Sequence, residues 1–195
     1  MNIAIIDYKA GNIKSVEAAL QSLGCKTILT GNSRIIQEAD KVIFPGVGHA
    51  GTAMQALIAA GLDNTIKKLT QPVLGICLGM QLLCNSSTEG DTIGLGIFNQ
   101  TVTRFIPQNS EKIPHMGWNQ LYNNNSPLLY KVPDNSFVYF VHSYQVPVFE
   151  FTAATCLYTG PFSAAIAKNN FYGTQFHPEK SGNTGLQILK NFINL

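Results

Sequence analysis

Pro72-Val-Leu-Gly-Ile-Cys-Leu-Gly-Met-Gln81 carries more of the fold's logic than any other run in this chain. An apolar run ends at Gly75-Ile76-Cys77-Leu78-Gly79, and a helix-compatible run, Met80 to Cys84, follows directly. This is the strand, sharp turn and helix of a nucleophile elbow, with cysteine where hydrolases usually carry serine. Glycines on both sides of Cys77 let the backbone take a close, strained turn that lifts the side chain clear of the sheet. The sulfur is then expected at a helix N-terminus, where unpaired N–H groups and the helix dipole favour the thiolate. The competing role is structural, a buried cysteine closing a core strand.

A second segment weighs against that competing role. Phe171-Tyr-Gly-Thr-Gln-Phe-His-Pro-Glu179 reads as an alternating strand that stops at Pro178. The proline biases His177 toward an extended conformation. Residues two apart in such a segment point to the same side, so His177 and Glu179 can project together. Glu179 is expected to accept the Nδ1–H of His177, leaving Nε2 to take the thiol proton of Cys77, in the logic of a nucleophile, base and orienter. Upstream, Lys41-Val-Ile-Phe-Pro-Gly-Val-Gly48 is an apolar strand running into a Pro-Gly-x-Gly loop, with a helical pattern from about Thr52 to Ala60. Glycines there let N–H groups approach an anion closely. The amides of Val47 and Leu78 are the expected pair for a tetrahedral oxyanion. A plain turn at the end of an α/β strand is the ordinary alternative for that loop.

Beyond these segments, 195 residues suffice to bury a core, and residues 1–195 are expected to form one domain. Hydrophobic residues make up 45% and charged residues only 12%, which excludes a disordered chain. The 13 basic residues, against 11 acidic ones, are scattered and form no footprint for nucleic acid. No apolar run approaches the roughly 20 residues needed to span a bilayer, so no membrane is expected. The opening Met-Asn-Ile-Ala-Ile-Ile-Asp lacks a basic region and reads as a first strand. Four cysteines, at 25, 77, 84 and 156, form neither a metal pair nor a disulfide framework, and a reducing cytoplasmic setting is the expectation. Cys25, Cys84 and Cys156 read as small buried hydrophobes.

Strand and helix patterns alternate through the first half. Asn2–Ile6, Lys26–Leu29 and Lys41–Phe44 are expected strands. Ile13–Leu23, Arg34–Glu38, Met54–Ala60 and Leu62–Leu69 are expected helices. The fold class is therefore α/β, a mostly parallel sheet flanked by helices, with ligands bound beyond the carboxyl ends of the strands. From Gly94 the texture changes to short strands at Gly94–Phe98, Thr101–Ile106, Trp118–Leu121, Ser136–Tyr144, Ala153–Tyr158 and Ser163–Lys168. A closing helix is expected at Gly185–Ile193. These later strands add antiparallel pairs to the sheet.

With Gly-Ile-Cys77-Leu-Gly-Met-Gln, Pro-Gly-Val-Gly48 and Phe-His177-Pro-Glu179 assembled, the chain resembles the triad (class I) glutamine amidotransferases over essentially its full length. Asp7-Tyr-x-x-Gly-Asn12, Pro114-His-Met-Gly-Trp-Asn119, Tyr139-Phe-Val-His-Ser-Tyr144 and Phe176-His-Pro-Glu-Lys-Ser181 make it similar to the glutaminase subunits of imidazole glycerol phosphate synthases. The resemblance implies hydrolysis of L-glutamine to glutamate and ammonia, without metal or organic cofactor. It also implies a heterodimer with a (β/α)₈ cyclase subunit that uses the ammonia in histidine biosynthesis. By motif, Cys77 attacks, His177 shuttles the proton and Glu179 orients it. Gly48, Gln81, Glu89, Ser143 and Tyr144 match positions that hold glutamine, and Asn12, Trp118, Tyr139 and Lys180 fall in stretches toward the cyclase. Gln81 lies one helical turn past Cys77 on the same face. His142 reads as a hydrogen-bonded, half-buried histidine, and His49 and His115 carry no assigned role. Lys9 and the His49-Ala50 pair depart from the usual pattern. Three other readings remain: a glutaminase serving a different synthase, a catalytically silent binding protein on the same scaffold, and a cysteine peptidase or acyl hydrolase.

Overall fold

β-Branched and apolar runs bounded by turns become the strands of the sheet, and helices between them cover its faces. The computed structural model describes residues 1–8, 13–108 and 110–195. Asn12, Lys9 and the two residues between them lie outside the described residues. The first half runs β1 (Asn2–Ile6), α1 (Ile13–Ser22), β2 (Lys26–Thr30), α2 (Ser33–Glu38), β3 (Lys41–Gly46), α3 (Ala50–Ala59), α4 (Leu62–Lys67), β4 (Val73–Cys77) and α5 (Leu78–Leu82). The second half is β5 (Cys84–Ser87), β6 (Thr92–Ile93), β7 (Phe98–Arg104), β8 (His115–Gln120), β9 (Phe137–His142), β10 (Tyr144–Gln145), β11 (Thr152–Leu157), β12 (Pro161–Lys168), β13 (Phe171–Thr174) and α6 (Gly182–Asn194).

Seven strands form the central sheet in the order β11-β12-β13-β4-β3-β1-β2. β13, β4, β3, β1 and β2 run parallel, while β12 and β11 join through antiparallel pairing. The α/β architecture with its parallel centre and antiparallel additions in the second half is thus as the sequence predicts. Period-two alternation divides β1 between two cores, with Ala4 and Ile6 packing on one face and Ile3 and Ile5 on the other. Both faces are covered, which is why the central strands read as continuous apolar runs. β4 is buried along its whole length between β3 and β13, so the chain leaves the sheet at Cys77 from its central strand.

Several expected boundaries shift. The Met80–Cys84 helix is instead the short α5, and Cys84 opens β5, which pairs with β6 and β7 in a separate four-stranded sheet. Gly94–Phe98 is mostly a loop rather than a strand. Its amides at Leu95, Gly96 and Ile97 bond the carbonyls of Leu82, Cys84 and Leu83, so its donors are already spent on the end of α5 and the first residue of β5. The expected strand Ser136–Tyr144 breaks at Ser143. β9 pairs with β8, whereas β10 pairs with β7 in the other sheet, and Ser143 is the residue where the chain crosses over. α6 starts earlier than periodicity suggests, at Gly182. Cys84 and Cys156 are buried as expected; Cys25 is only partly so.

Candidate active site

The elbow follows from crowding. Cys77 adopts φ 54° and ψ −111°, a conformation disfavoured for a residue with a side chain, at the junction of β4 and α5. Gly79 is what allows it: a Cβ there would lie 1.9 Å from the Phe44 carbonyl oxygen of β3. Any side chain would push the first turn of α5 off the sheet and take Cys77 with it. α5 has five residues, so the macrodipole expected behind the sulfur is that of little more than one turn, and charge stabilisation falls to individual donors instead. Among the described residues, besides the imidazole described below, a carbonyl and an amide flank the sulfur. The Val141 carbonyl oxygen lies at 3.9 Å as an acceptor for the thiol, and Nε2 of Gln175 lies at 3.7 Å as a donor.

The imidazole arrives from the neighbouring strand. β13 pairs with β4 in register Thr174↔Ile76, so the chain beyond Thr174 runs alongside the elbow. The strand ends at Thr174, short of His177, and Pro178–Lys180 curls into a 3₁₀ turn with His177 as its extended cap. Glu179 therefore meets His177 across a tight turn, not by strand alternation as the sequence suggests. The contact forms nonetheless, with His177 Nδ1 and Glu179 Oε1 2.8 Å apart and both side chains almost fully buried. The backbone is pinned as well. His177 N–H donates to the Tyr139 carbonyl, Ser181 Oγ donates to the His177 carbonyl, and the same Oγ accepts from Tyr139 N–H.

His177 Nε2 has no regular hydrogen-bond partner among the described residues, and the group that acts on it is Cys77. Burial alone would depress this imidazole, but the Cys77 sulfur and the Glu179 carboxylate outweigh burial and lift it to about 10. Sulfur on one side and carboxylate on the other thus both favour the charged form of this ring. Tyr8, whose hydroxyl donates to the Pro45 carbonyl at 2.8 Å, has its phenol pushed up by burial and then by the charge on Cys77.

A cavity of about 330 Å³ opens over the sulfur. Its walls include Cys77 and His177 together with Val47, Gly48, Leu78, Gln81, Glu89, Ser143 and Tyr144, which are all seven residues expected to form the oxyanion and glutamine sites. The pairing Gly46↔Cys77 between β3 and β4 brings Val47 and Leu78, one residue further on, to the same end of the sheet. Glu89 is held by the Ala50 amide at 2.8 Å, at the start of α3, with one carboxylate oxygen thereby oriented. Gln81 donates from Nε2 to both the Tyr144 carbonyl and Gln175 Oε1.

Pro114, Val141 and His142 also line the cavity, and sequence reading assigns none of them to it. His142 has a determined tautomer. Its Nδ1 lies 2.7 Å from the Tyr144 carbonyl and must donate, so its Nε2 accepts from His115 Nδ1 at 3.0 Å. His115 Nε2 in turn accepts from Asn119 at 3.2 Å. Protonating either ring would set donor against donor. Burial depresses His115 to about 4. Burial, reinforced by the charges of His115 and His177 and only partly offset by the Tyr144 carbonyl, depresses His142 to about 3. The pair is a neutral strut under the cavity wall.

Three of the four residues expected at a partner interface cluster on the β8–β9 ribbon and the adjoining turn. Trp118 is 55% exposed and does not pack in the core. Its ring meets Tyr139 edge-on at 6.1 Å, and Lys180 Nζ stands 6.0 Å from the Tyr139 ring. Met116 and Phe137 are exposed on the same ribbon. Asn12, the fourth, lies outside the described residues.

The profile of the family described as glutamine amidotransferase class-I matches residues 4–195. The chain is 57% identical over 196 residues, covering all of both chains, to the imidazole glycerol phosphate synthase subunit HisH of Bacteroides thetaiotaomicron. It is 49% identical to the subunit of the same name from Pasteurella multocida, over 98% of this chain and 97% of that one. Among solved structures, a glutamine amidotransferase crystal structure superposes with TM-score 0.76 at 15% identity, covering 98% of this chain and 97% of that one. PurLQS from Thermotoga maritima superposes at 0.75 and 16% identity over 99% and 97%; these two likenesses bear on the fold.

Proposed function

The chain belongs to the class-I glutamine amidotransferase family, and we propose on that footing that it is the glutamine-hydrolysing subunit of an imidazole glycerol phosphate synthase. The observation that carries the reading is the single cavity onto which Cys77, His177 and all seven expected substrate-binding residues open. The full-length HisH relatives support this acceptor over another synthase.

In this reading glutamine lies in the cavity with its α-ammonium toward Glu89 and its carboxamide over Cys77. Sγ attacks the carboxamide carbon, and the developing oxyanion is met by the amides of Val47 and Leu78. The His177 imidazolium gives its proton to the departing nitrogen, so ammonia leaves and a thioester remains. Neutral His177 then takes a proton from water, whose oxygen adds to the thioester carbon. Collapse releases glutamate and returns the sulfur beside a recharged imidazolium. Glu179 touches neither substrate nor leaving group. It holds the ring in the orientation that presents Nε2 to the sulfur and stabilises its charge.

The ammonia passes to a (β/α)₈ cyclase subunit in a heterodimer, which closes the imidazole ring in histidine biosynthesis. The cluster of exposed Trp118 and Lys180 around half-buried Tyr139 supports docking at this end of the molecule, and we assign Asn12 to the same interface from its motif. Among the described residues no helix is long and apolar enough to cross a membrane. We place the protein in the cytoplasm on the strength of the biosynthetic role proposed for it. The test is glutamate release measured with and without the matching cyclase and its ribonucleotide ligand. Cys77→Ala is expected to abolish glutamine-dependent turnover of the complex while ammonia-dependent turnover persists. Loss of both would refute the division of labour.

A further inference from the structure

Gln175 has no part in the reaction as set out above, yet it is fully buried and touches the nucleophile. Its backbone N–H donates to the Ala164 carbonyl, which fixes it just past the end of β13. An amide in a closed interior is costly unless its polar atoms are matched, and an aliphatic side chain of similar size would fill the space at lower cost. Both polar atoms of Gln175 are matched, and their direction is determined. Gln81 Nε2 has two hydrogens, one going to the Tyr144 carbonyl at 3.0 Å and the other to Gln175 Oε1 at 2.9 Å. Gln175 must therefore present oxygen to Gln81, which leaves its Nε2 to face Cys77 Sγ.

The two contacts at the sulfur favour opposite states. A thiol can donate to the Val141 carbonyl; a thiolate cannot, and only a thiolate accepts strongly from the Gln175 amide. We propose that Gln175 is a positioning residue that stabilises the charged sulfur of Cys77 and ties it to Gln81 and the Tyr144 carbonyl on the glutamine-facing wall, an inference that rests on the glutaminase reading for its consequence in turnover. The other titratable groups facing the sulfur are His177, with Glu179 behind it, and the Tyr8 phenol. His177 supplies the counter-charge, whereas Gln175 supplies a neutral donor. Through Gln81, the same amide senses whether the glutamine wall is in place.

Two variants test it. Gln175→Met keeps length and removes the donor. Gln175→Glu keeps shape and the acceptor for Gln81 but sets a carboxylate against the sulfur. The first readout is the pH midpoint of Cys77 alkylation by iodoacetamide in the full chain without glutamine. Loss of one hydrogen bond to a charged atom is expected to raise that midpoint by about one pH unit in Gln175→Met, roughly tenfold slower labelling at a fixed lower pH. Gln175→Glu should move it further the same way. Cys84 and Cys156, whose thiols burial pushes up to about 12, serve as internal reporters of unfolding. The second readout is turnover with the partner, where kcat should fall about tenfold with a smaller change in KM.

An unmoved midpoint in both folded variants would overturn the proposal, as would a rise in KM alone. Labelling of Cys84 and Cys156 as fast as Cys77 in both variants would make Gln175 a packing residue and overturn it too. A shifted midpoint in a chain whose wild type hydrolyses no glutamine with its partner would instead uphold Gln175's effect and sink the functional reading.

Discussion

For single residues, the site depends on where three polar side chains are allowed to sit. Cys77 is held in a disfavoured conformation because Gly79 lets α5 start against β3. Gly79→Ala is therefore expected to cost about 1–3 kcal/mol or more, since the obstacle is a backbone carbonyl that cannot swing away. Urea unfolding of the isolated chain measures this, and an unchanged midpoint would show that the elbow tolerates a side chain. In the proposed mechanism Glu179 acts only through His177, so the loss of glutamine-dependent kcat in Glu179→Gln should be smaller than in Cys77→Ala by roughly 10²-fold. Equal losses in partnered turnover assays would mean that the carboxylate does more than orient the ring. The candidate chemistry-bearing residues are legible in the sequence because each stands in a local pattern: Gly-Ile-Cys77-Leu-Gly for the proposed nucleophile and His177-Pro-Glu179 for its proposed base. The contacts of Val141 and Gln175 with the sulfur are not, because they form across sequence separations of 64 and 98 residues. His142 reaches the cavity wall only once β9 is in place.

Among the elements, β9 joins two ends of the proposed function. It carries Tyr139, against Trp118 and Lys180, while its backbone bonds His177 and faces Cys77 through the Val141 carbonyl. Trp118→Ala is expected to raise the dissociation constant for the cyclase by about 30-fold, as for a central aromatic anchor. The melting temperature of the isolated chain should barely move, because the ring is largely exposed. Binding titrations of wild type and variant decide it. Within the ribbon, the His115–His142 pair is expected to make the molecule acid-sensitive. Both rings are neutral when folded, with values near 4 and 3, but take protons near 6.5 when unfolded. The unfolded state binds more protons below pH 6.5, so stability falls as pH drops from there toward 4. Replacing His115 with Gln should flatten the slope of urea stability against pH between 6 and 5 by about one proton. An unaltered slope would place the acid sensitivity elsewhere. The break of the expected Ser136–Tyr144 strand at Ser143 also belongs to the elements. The extended run looks continuous, but pairing partners change from β8 to β7, and partners are not written in a strand's own residues.

For the molecule taken together, coupling to a partner is the prediction. Ammonia released without an acceptor is wasted glutamine, and the proposed docking cluster sits on the ribbon that holds the His177 backbone. The isolated chain is expected to release glutamate slowly, and the cyclase with its ribonucleotide ligand to raise that rate by about 10² or more, the upper range of typical allosteric coupling. Glutamate assays across a cyclase titration test this, and rapid release by the chain alone would count against it. Residue order alone is enough for the α/β class, the parallel centre of the sheet and the choice of Cys77, His177 and Glu179 as candidates, because hydrophobic period, glycine placement and short-range turn chemistry are local properties of a chain. The folded arrangement adds that β13 lies beside β4, that Glu179 reaches His177 around a 3₁₀ turn, and that Gln175 and Val141 frame the sulfur. Those outcomes depend on which strands pair and where the chain changes sheets, and such choices are made by the summed packing of segments far apart in sequence.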